Sequence, residues 1–157
     1  MRLQYSMKKI HYPIVMKTDT YHCELLSAIK KRQVNLVKFL LSDGADPHEL
    51  HYDDRSSLQI AVGTESLEIV KLLIDAGVST DSHHTYGMKK YYPPLEHAII
   101  RGYLPIVELL LKSGAKTPSR CLTLAVESKN TAIVKALLDH GVKFEKQTKV
   151  EESTFTW

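Results

Sequence analysis

Cysteine is nearly missing from this chain: Cys23 and Cys121 are the two in 157 residues, 98 positions apart, with no CxxC pair and no cysteine and histidine spacing of a zinc site. A disulfide framework is therefore not expected. A reducing, cytoplasmic setting is, because a chain of this length can bury a core without staples. Long apolar runs are missing too. None approaches the roughly 18 to 20 residues that span a bilayer, so no membrane partner is expected. The opening residues 1–16 are basic, but Lys8, Lys9, His11 and Pro13 interrupt their apolar positions, and they lack the continuous apolar stretch of a secretory signal. Charge of one sign is also scarce. Basic residues number 21 and acidic ones 18, interspersed along the chain, and the resulting +3 is too small a bias to imply nucleic acid or an anionic surface. With 43% hydrophobic and 25% charged residues the chain is not a disordered one; the expectation is a single soluble, monomeric globular unit.

What the sequence does contain is self-similarity. A leucine, an alanine three residues on and a glycine sixteen further recur four times: Leu25, Ala28, Gly44; Leu58, Ala61, Gly77; Leu95, Ala98, Gly114; and Leu122, Ala125, Gly141. Each copy also carries paired apolar residues, as in Leu36, Val37, Leu40, Leu41 and Ile69, Val70, Leu73, Ile74. Positions i, i+1, i+4 and i+5 form one broad stripe on a 3.6-residue helix, which must bury itself, and the neighbouring copy is the obvious partner. The four glycines directly follow these helices, where a left-handed cap disfavours a Cβ. The alanines sit on a shorter preceding helix, where a small side chain lets helices approach closely.

These residues resemble the ankyrin repeat, a unit of about 33 residues with a β-turn finger, a TPLHxA motif opening helix one, and a second helix ending near GAD. The matching segments are SSLQIA at 56–61, PPLEHA at 93–98, and GADP, GVST, GAKT and GVKF after the second helices. The resemblance implies an all-α ankyrin-repeat solenoid of four helix-turn-helix repeats with short β-turn fingers. It covers residues 18–148, in repeats of about 18–50, 51–83, 84–116 and 117–148, flanked by an N-terminal segment 1–17 and a tail 149–157. Equivalent alanines are separated by 33, 37 and 27 residues, so repeat three gains about four residues around His84 to Gly87 and repeat four loses most of its finger. The motif is eroded. Its Thr is replaced by Cys23, Ser56, Pro93 and Arg120, leaving one capping hydroxyl, and its His by Leu26, Gln59, Glu96 and Thr123. A modestly stable array with atypical first and last repeats is expected. Phe155 and Trp157 suggest docking of the tail.

A search for chemistry finds little. GxSxG, GxxxxGK[ST], GxGxxG and HExxH are all lacking, and four of the seven glycines are helix stops rather than phosphate loops. No catalysis and no cofactor are expected. His48 and His51 fall in a finger, and the adjacent His83 and His84 point opposite ways in extended chain, so the metal or enzyme reading built on them is an alternative only. Cys121 follows Arg120, which would lower its thiol pKa, but it aligns with a helix-opening position and has no base; it reads as structural. A second alternative, nucleic-acid binding through Lys30, Lys31, Arg32, Lys89 and Lys90, is weakened by the acids that interrupt each basic run.

The family resemblance implies instead a concave surface that binds another protein. By register the finger tips are Asp19, Thr20 and His22; Tyr52, Asp53 and Arg55; and Lys89, Lys90 and Tyr92. The inner-helix ends are Lys30 and Lys31; Gly63 and Thr64; Ile100 and Arg101; and Glu127 and Ser128. Tyr and Arg dominate interface energetics, so the candidate contacts are Tyr52, Asp53, Arg55, Lys89, Lys90, Tyr91, Tyr92, Ile100, Arg101, Lys30 and Lys31, with Tyr86 nearby. Tyr52, Tyr86, Tyr91, Tyr92 and Arg101 are expected to bring aromatic and guanidinium groups near one another, alongside Lys89 and Lys90, and an acidic, partly apolar partner fits this set. With four repeats and no appended domain in the sequence, binding is expected to be the whole activity, in an inhibitor, an adaptor, or an effector delivered into a host cytoplasm.

Overall fold

The paired apolar stripes become helices stacked in two layers. The computed structural model describes residues 24–48, 55–81 and 92–143, together with the backbone at 85–86 and 89–90. Within them lie α1 (helical over 24–30), α2 (Val34–Ser42), α3 (Ser57–Gly63), α4 (Leu67–Asp75), α5 (Pro94–Arg101), α6 (Leu104–Lys112), α7 (Arg120–Glu127) and α8 (Thr131–Asp139). The odd helices pack on one another in an inner layer, and the even helices do so in an outer one. The finger between α4 and α5 holds a small antiparallel hairpin, β1 (Thr85–Tyr86) with β2 (Lys89–Lys90), in which Thr85 faces Lys90 and Tyr86 faces Lys89.

Burial follows the repeat. Ala28, Ala61, Ala98 and Ala125 are all buried, as the close approach of inner helices requires. The stripe leucines Leu73 and Leu110 are fully buried, as are Ile69 and Val107, whereas Lys71 and Glu108 on the opposite face stay in water. At the end of α4 the Gly77 N–H donates to Ile74 O at 2.9 Å and the Val78 N–H to Leu73 O at 3.1 Å. This double closure needs a left-handed residue between them, and Gly77 supplies it at φ +87. Val78 then folds back into the core beside Leu73. The other three repeats close in the same way, so the expected helix stops are found.

A second left-handed position recurs between the two helices of each repeat, four residues after the alanine. It holds Arg32 at φ 56, Glu65 at φ 60, Gly102 at φ 76 and Lys129 at φ 54. Three of the four carry a Cβ there, at a cost of about 1–2 kcal/mol each. Only Gly102 marks this position by its residue type.

The two length changes also lie where expected. From Ala76 to Pro93 the α4 to α5 connection carries the hairpin finger; from Ser113 to Ser119 the α6 to α7 connection has seven residues and no strand. The flanks 1–17 and 149–157, with Phe155 and Trp157, lie outside the described residues. No helix among the described residues is long and apolar enough to cross a membrane.

Candidate functional site

The eroded motif positions turn out to stitch the repeats together. Ser56 accepts the Gln59 backbone N–H at 3.1 Å, and Gln59 Oε1 accepts the Ser56 N–H at 2.8 Å, a complete capping box on α3 and the one hydroxyl cap foreseen for the inner helices. Gln59, standing where the family motif has His, also donates through Nε2 to the Tyr92 carbonyl at 3.2 Å, in the next repeat. One repeat on, the same position is Glu96, buried, and its Oε2 meets Arg120 at 3.0 Å as an ion pair rather than along a hydrogen-bond axis. Arg120 stands where the next repeat would have Thr. Each substitution therefore reaches forward to the N-terminal end of the following inner helix.

Arg120 is half-exposed and lies 5.9 Å from the Tyr92 ring centroid. Beside it Cys121 is fully buried, and its thiol is pushed up to about 12, first by desolvation and then by the Glu96 charge, with Arg120 opposing only in part. It is an unreactive core residue, as expected.

At the other end of α5, Arg101 does not stand free. Its Nε donates to Tyr103 Oη at 3.0 Å, its guanidinium lies 5.7 Å from the Tyr103 centroid and 3.9 Å from Glu65 Oε1, and Tyr103 Oη donates in turn to Glu65. This cluster ties the inter-helix turns of repeats two and three. Tyr92 precedes α5 and Arg101 ends it, and eight helical residues at 1.5 Å each hold them about 12 Å apart. The two therefore bracket the helix, and of the expected cluster only these two side chains lie among the described residues.

Between them α5 presents His97 and Ile100. Gly63 of the preceding inner helix leaves room that the His97 ring fills, its Cε1 3.4 Å from where a Gly63 Cβ would stand. Burial holds the His97 imidazole below its ordinary value, and the Arg101 and then the Arg55 guanidinium add to the effect. Arg55 is half-buried. Ile100 is 37% exposed, unlike its repeat neighbours Leu95 and Ile99. Lys30 and Lys31 are exposed at the end of α1. Lys89 and Lys90 are placed only by their backbone in β2, and Tyr52, Asp53 and Tyr91 lie outside the described residues. His48 is exposed, with its backbone N–H bonded to Asp46; His51, His83 and His84 lie outside the described residues. Among the described residues no cluster of three or more histidine, cysteine or acidic side chains is placed to hold a metal ion.

A family model described as ankyrin repeats (3 copies) matches residues 25–121, more than half of the chain. The chain belongs to the ankyrin repeat family. Its relatives include a Fowlpox virus protein, FPV115, named as an ankyrin repeat protein, 34% identical over 157 aligned positions that cover 82% of this chain and 29% of FPV115. The palmitoyltransferase ZDHHC13 of Mus musculus is 32% identical over 97 residues, 62% of this chain and 15% of the transferase. The potassium channel GORK of Arabidopsis thaliana is 30% identical over 86 residues, 55% of this chain and 10% of the channel. The chain thus spans less than a third of the length of these relatives, and what it shares with proteins of such different activity is the repeat region. Ankyrin repeats are generally protein–protein interaction modules, and their family is generally non-catalytic.

Proposed function

We propose that this ankyrin repeat chain is a non-catalytic, monomeric binding module that docks another protein on its concave, inner-helix face, working as an inhibitor, adaptor or effector in a reducing cytoplasm. One observation carries the reading. Ile100 is an exposed β-branched side chain on the inner layer, set between His97 and Arg101 on α5. An apolar centre rimmed by charge is the make-up of an interface core. Closer packing among inner than among outer helices supports curvature towards this face. The guanidiniums of Arg55 and Arg101 around His97 favour an acidic, partly apolar partner surface. Lys30 and Lys31 extend the positive rim, and Tyr92 with Arg120 adds an aromatic contact near the fingers.

The test is the affinity of the partner captured from the native source. Ile100→Asp should weaken it by about 1–2 kcal/mol or more, and Tyr92→Ala and Arg101→Ala by about 1 kcal/mol each, with the melting temperature of Ile100→Asp unchanged. Unaltered affinity in all three variants would remove this face from the interaction.

A further inference from the structure

The missing finger of repeat four leaves a slot. Where the α4 to α5 connection carries a hairpin, the short Ser113–Ser119 connection carries none, and a cavity of about 460 Å³ opens beside the entry to α5. Its apolar lining is Pro93, Leu95 and Pro118, and its ionisable lining is Asp81, Glu96 and Lys116.

The two carboxylates are already engaged. Asp81 Oδ1 accepts the Lys116 backbone N–H at 2.8 Å while its Oδ2 lies 3.6 Å from Lys116 Nζ, and Glu96 is paired with Arg120. The exposures are unequal: the acids are 30% and 4% exposed, their basic partners Lys116 and Arg120 84% and 44%. A visitor to the slot therefore meets Lys116, the most exposed ionisable group of the lining, over an apolar floor, while Arg120, paired with Glu96 and beside the Tyr92 ring, adjoins the slot without lining it. Among these four groups the formal charges cancel, but each base stands further into water than the acid it pairs with, so the outer rim is the more positive part.

We propose that this slot seats an acidic, extended segment of a partner protein, which lowers one apolar side chain onto Pro93, Leu95 and Pro118 and sets carboxylates against Lys116 and Arg120. The segment takes the place of the absent finger. The proposal rests on the interaction reading above and adds to the inner-helix face a second contact with a separate test.

The probe is an acetylated, amidated pentapeptide with one phenylalanine between two acidic pairs, titrated into the full chain and followed by amide chemical shifts. Shifts at 95–96 and 116–120 with a Kd of about 1 mM or tighter are expected. Replacing the phenylalanine by serine should weaken the peptide at least about fivefold, and so should Lys116→Glu, whose side chain is largely in solvent and whose melting temperature verifies the fold. Ile100→Asp should leave peptide binding unchanged. Equal shifts with a basic peptide, shifts confined to 60–64 and 97–101, or no shifts at all would overturn the proposal. A native partner that is lost with Ile100→Asp but indifferent to Lys116→Glu would sink the slot and keep the inner-helix face.

Discussion

The seam between repeats two and three and the seam between repeats three and four solve one problem with opposite chemistry. Both tie the N-terminal end of an inner helix to the repeat before it. The first does so with a neutral amide, Gln59 to the Tyr92 carbonyl, under a hairpin finger. The second uses a buried carboxylate, Glu96 to Arg120, without a finger above it. Removing the partner of a buried neutral group costs less than removing the partner of a buried charge, whose desolvation penalty is larger. The fold therefore tolerates loss of the family motif, but its second seam is the more brittle one and the more open one.

The harshest way to break both seams is through what they share. Leu73→Ala or Leu110→Ala, each fully buried, should cost about 2–5 kcal/mol in chemical denaturation, while Leu138→Ala, half exposed at the end of the described stack, should cost under about 1 kcal/mol. Next come changes that separate the seams. Arg120→Gln removes the cation paired with the buried Glu96 carboxylate and should cost about 1–3 kcal/mol, an amount held down because Arg120 is half in solvent, against about 1 kcal/mol for Gln59→Leu. Adding Glu96→Gln to Arg120→Gln should recover part of the loss; strict additivity would show that the pair is not coupled.

Smaller still are the turns. Lys129→Gly should stabilise by about 1 kcal/mol by releasing a left-handed Cβ, and Gly102→Ala should destabilise by a similar amount, since its Cβ would also meet Asn130 Nδ2 at 3.3 Å. At the first seam, His97 sets a pH dependence. Its folded pKa lies below the ordinary value of 6.5, so folded and unfolded chains are both neutral above that pH and its contribution is complete there. As pH falls below about 6.5 the unfolded chain takes up the proton first, and stability declines until the folded pKa is passed. His97→Gln should flatten that part of a stability against pH profile. Least perturbing is thiol labelling: in a Cys23→Ser background, Cys121 should resist iodoacetamide at pH 8 until the chain is unfolded.

The repeat was plain in the sequence because burial imposes periodicity: Ile69, Val70, Leu73 and Ala61 had to recur as they do, and the glycines that stop helices sit at a fixed distance from them. The shortened finger was legible from the alanine spacing alone. The inter-helix turn was not. Its signal was Gly102, four residues after Ala98, but Arg32, Glu65 and Lys129 at the equivalent positions hide a left-handed site behind ordinary side chains. The forward contacts were missed for another reason. Gln59, Glu96 and Arg120 each read as a departure from the motif, and only the spatial offset of one repeat turns two departures into a pair. At the candidate surface, Ile100 was correctly placed in the open, while Arg101 was expected to be available and is instead tied to Tyr103 and Glu65, a contact between turns that lie 36 residues apart in sequence.

The measurement that bears most directly on the binding role is a hydrogen-exchange footprint of the chain with its captured partner. The account predicts added protection over 60–64 and 97–101, extending to 116–120, with the outer faces of α4 and α6 unchanged. Protection confined to those outer faces would contradict it.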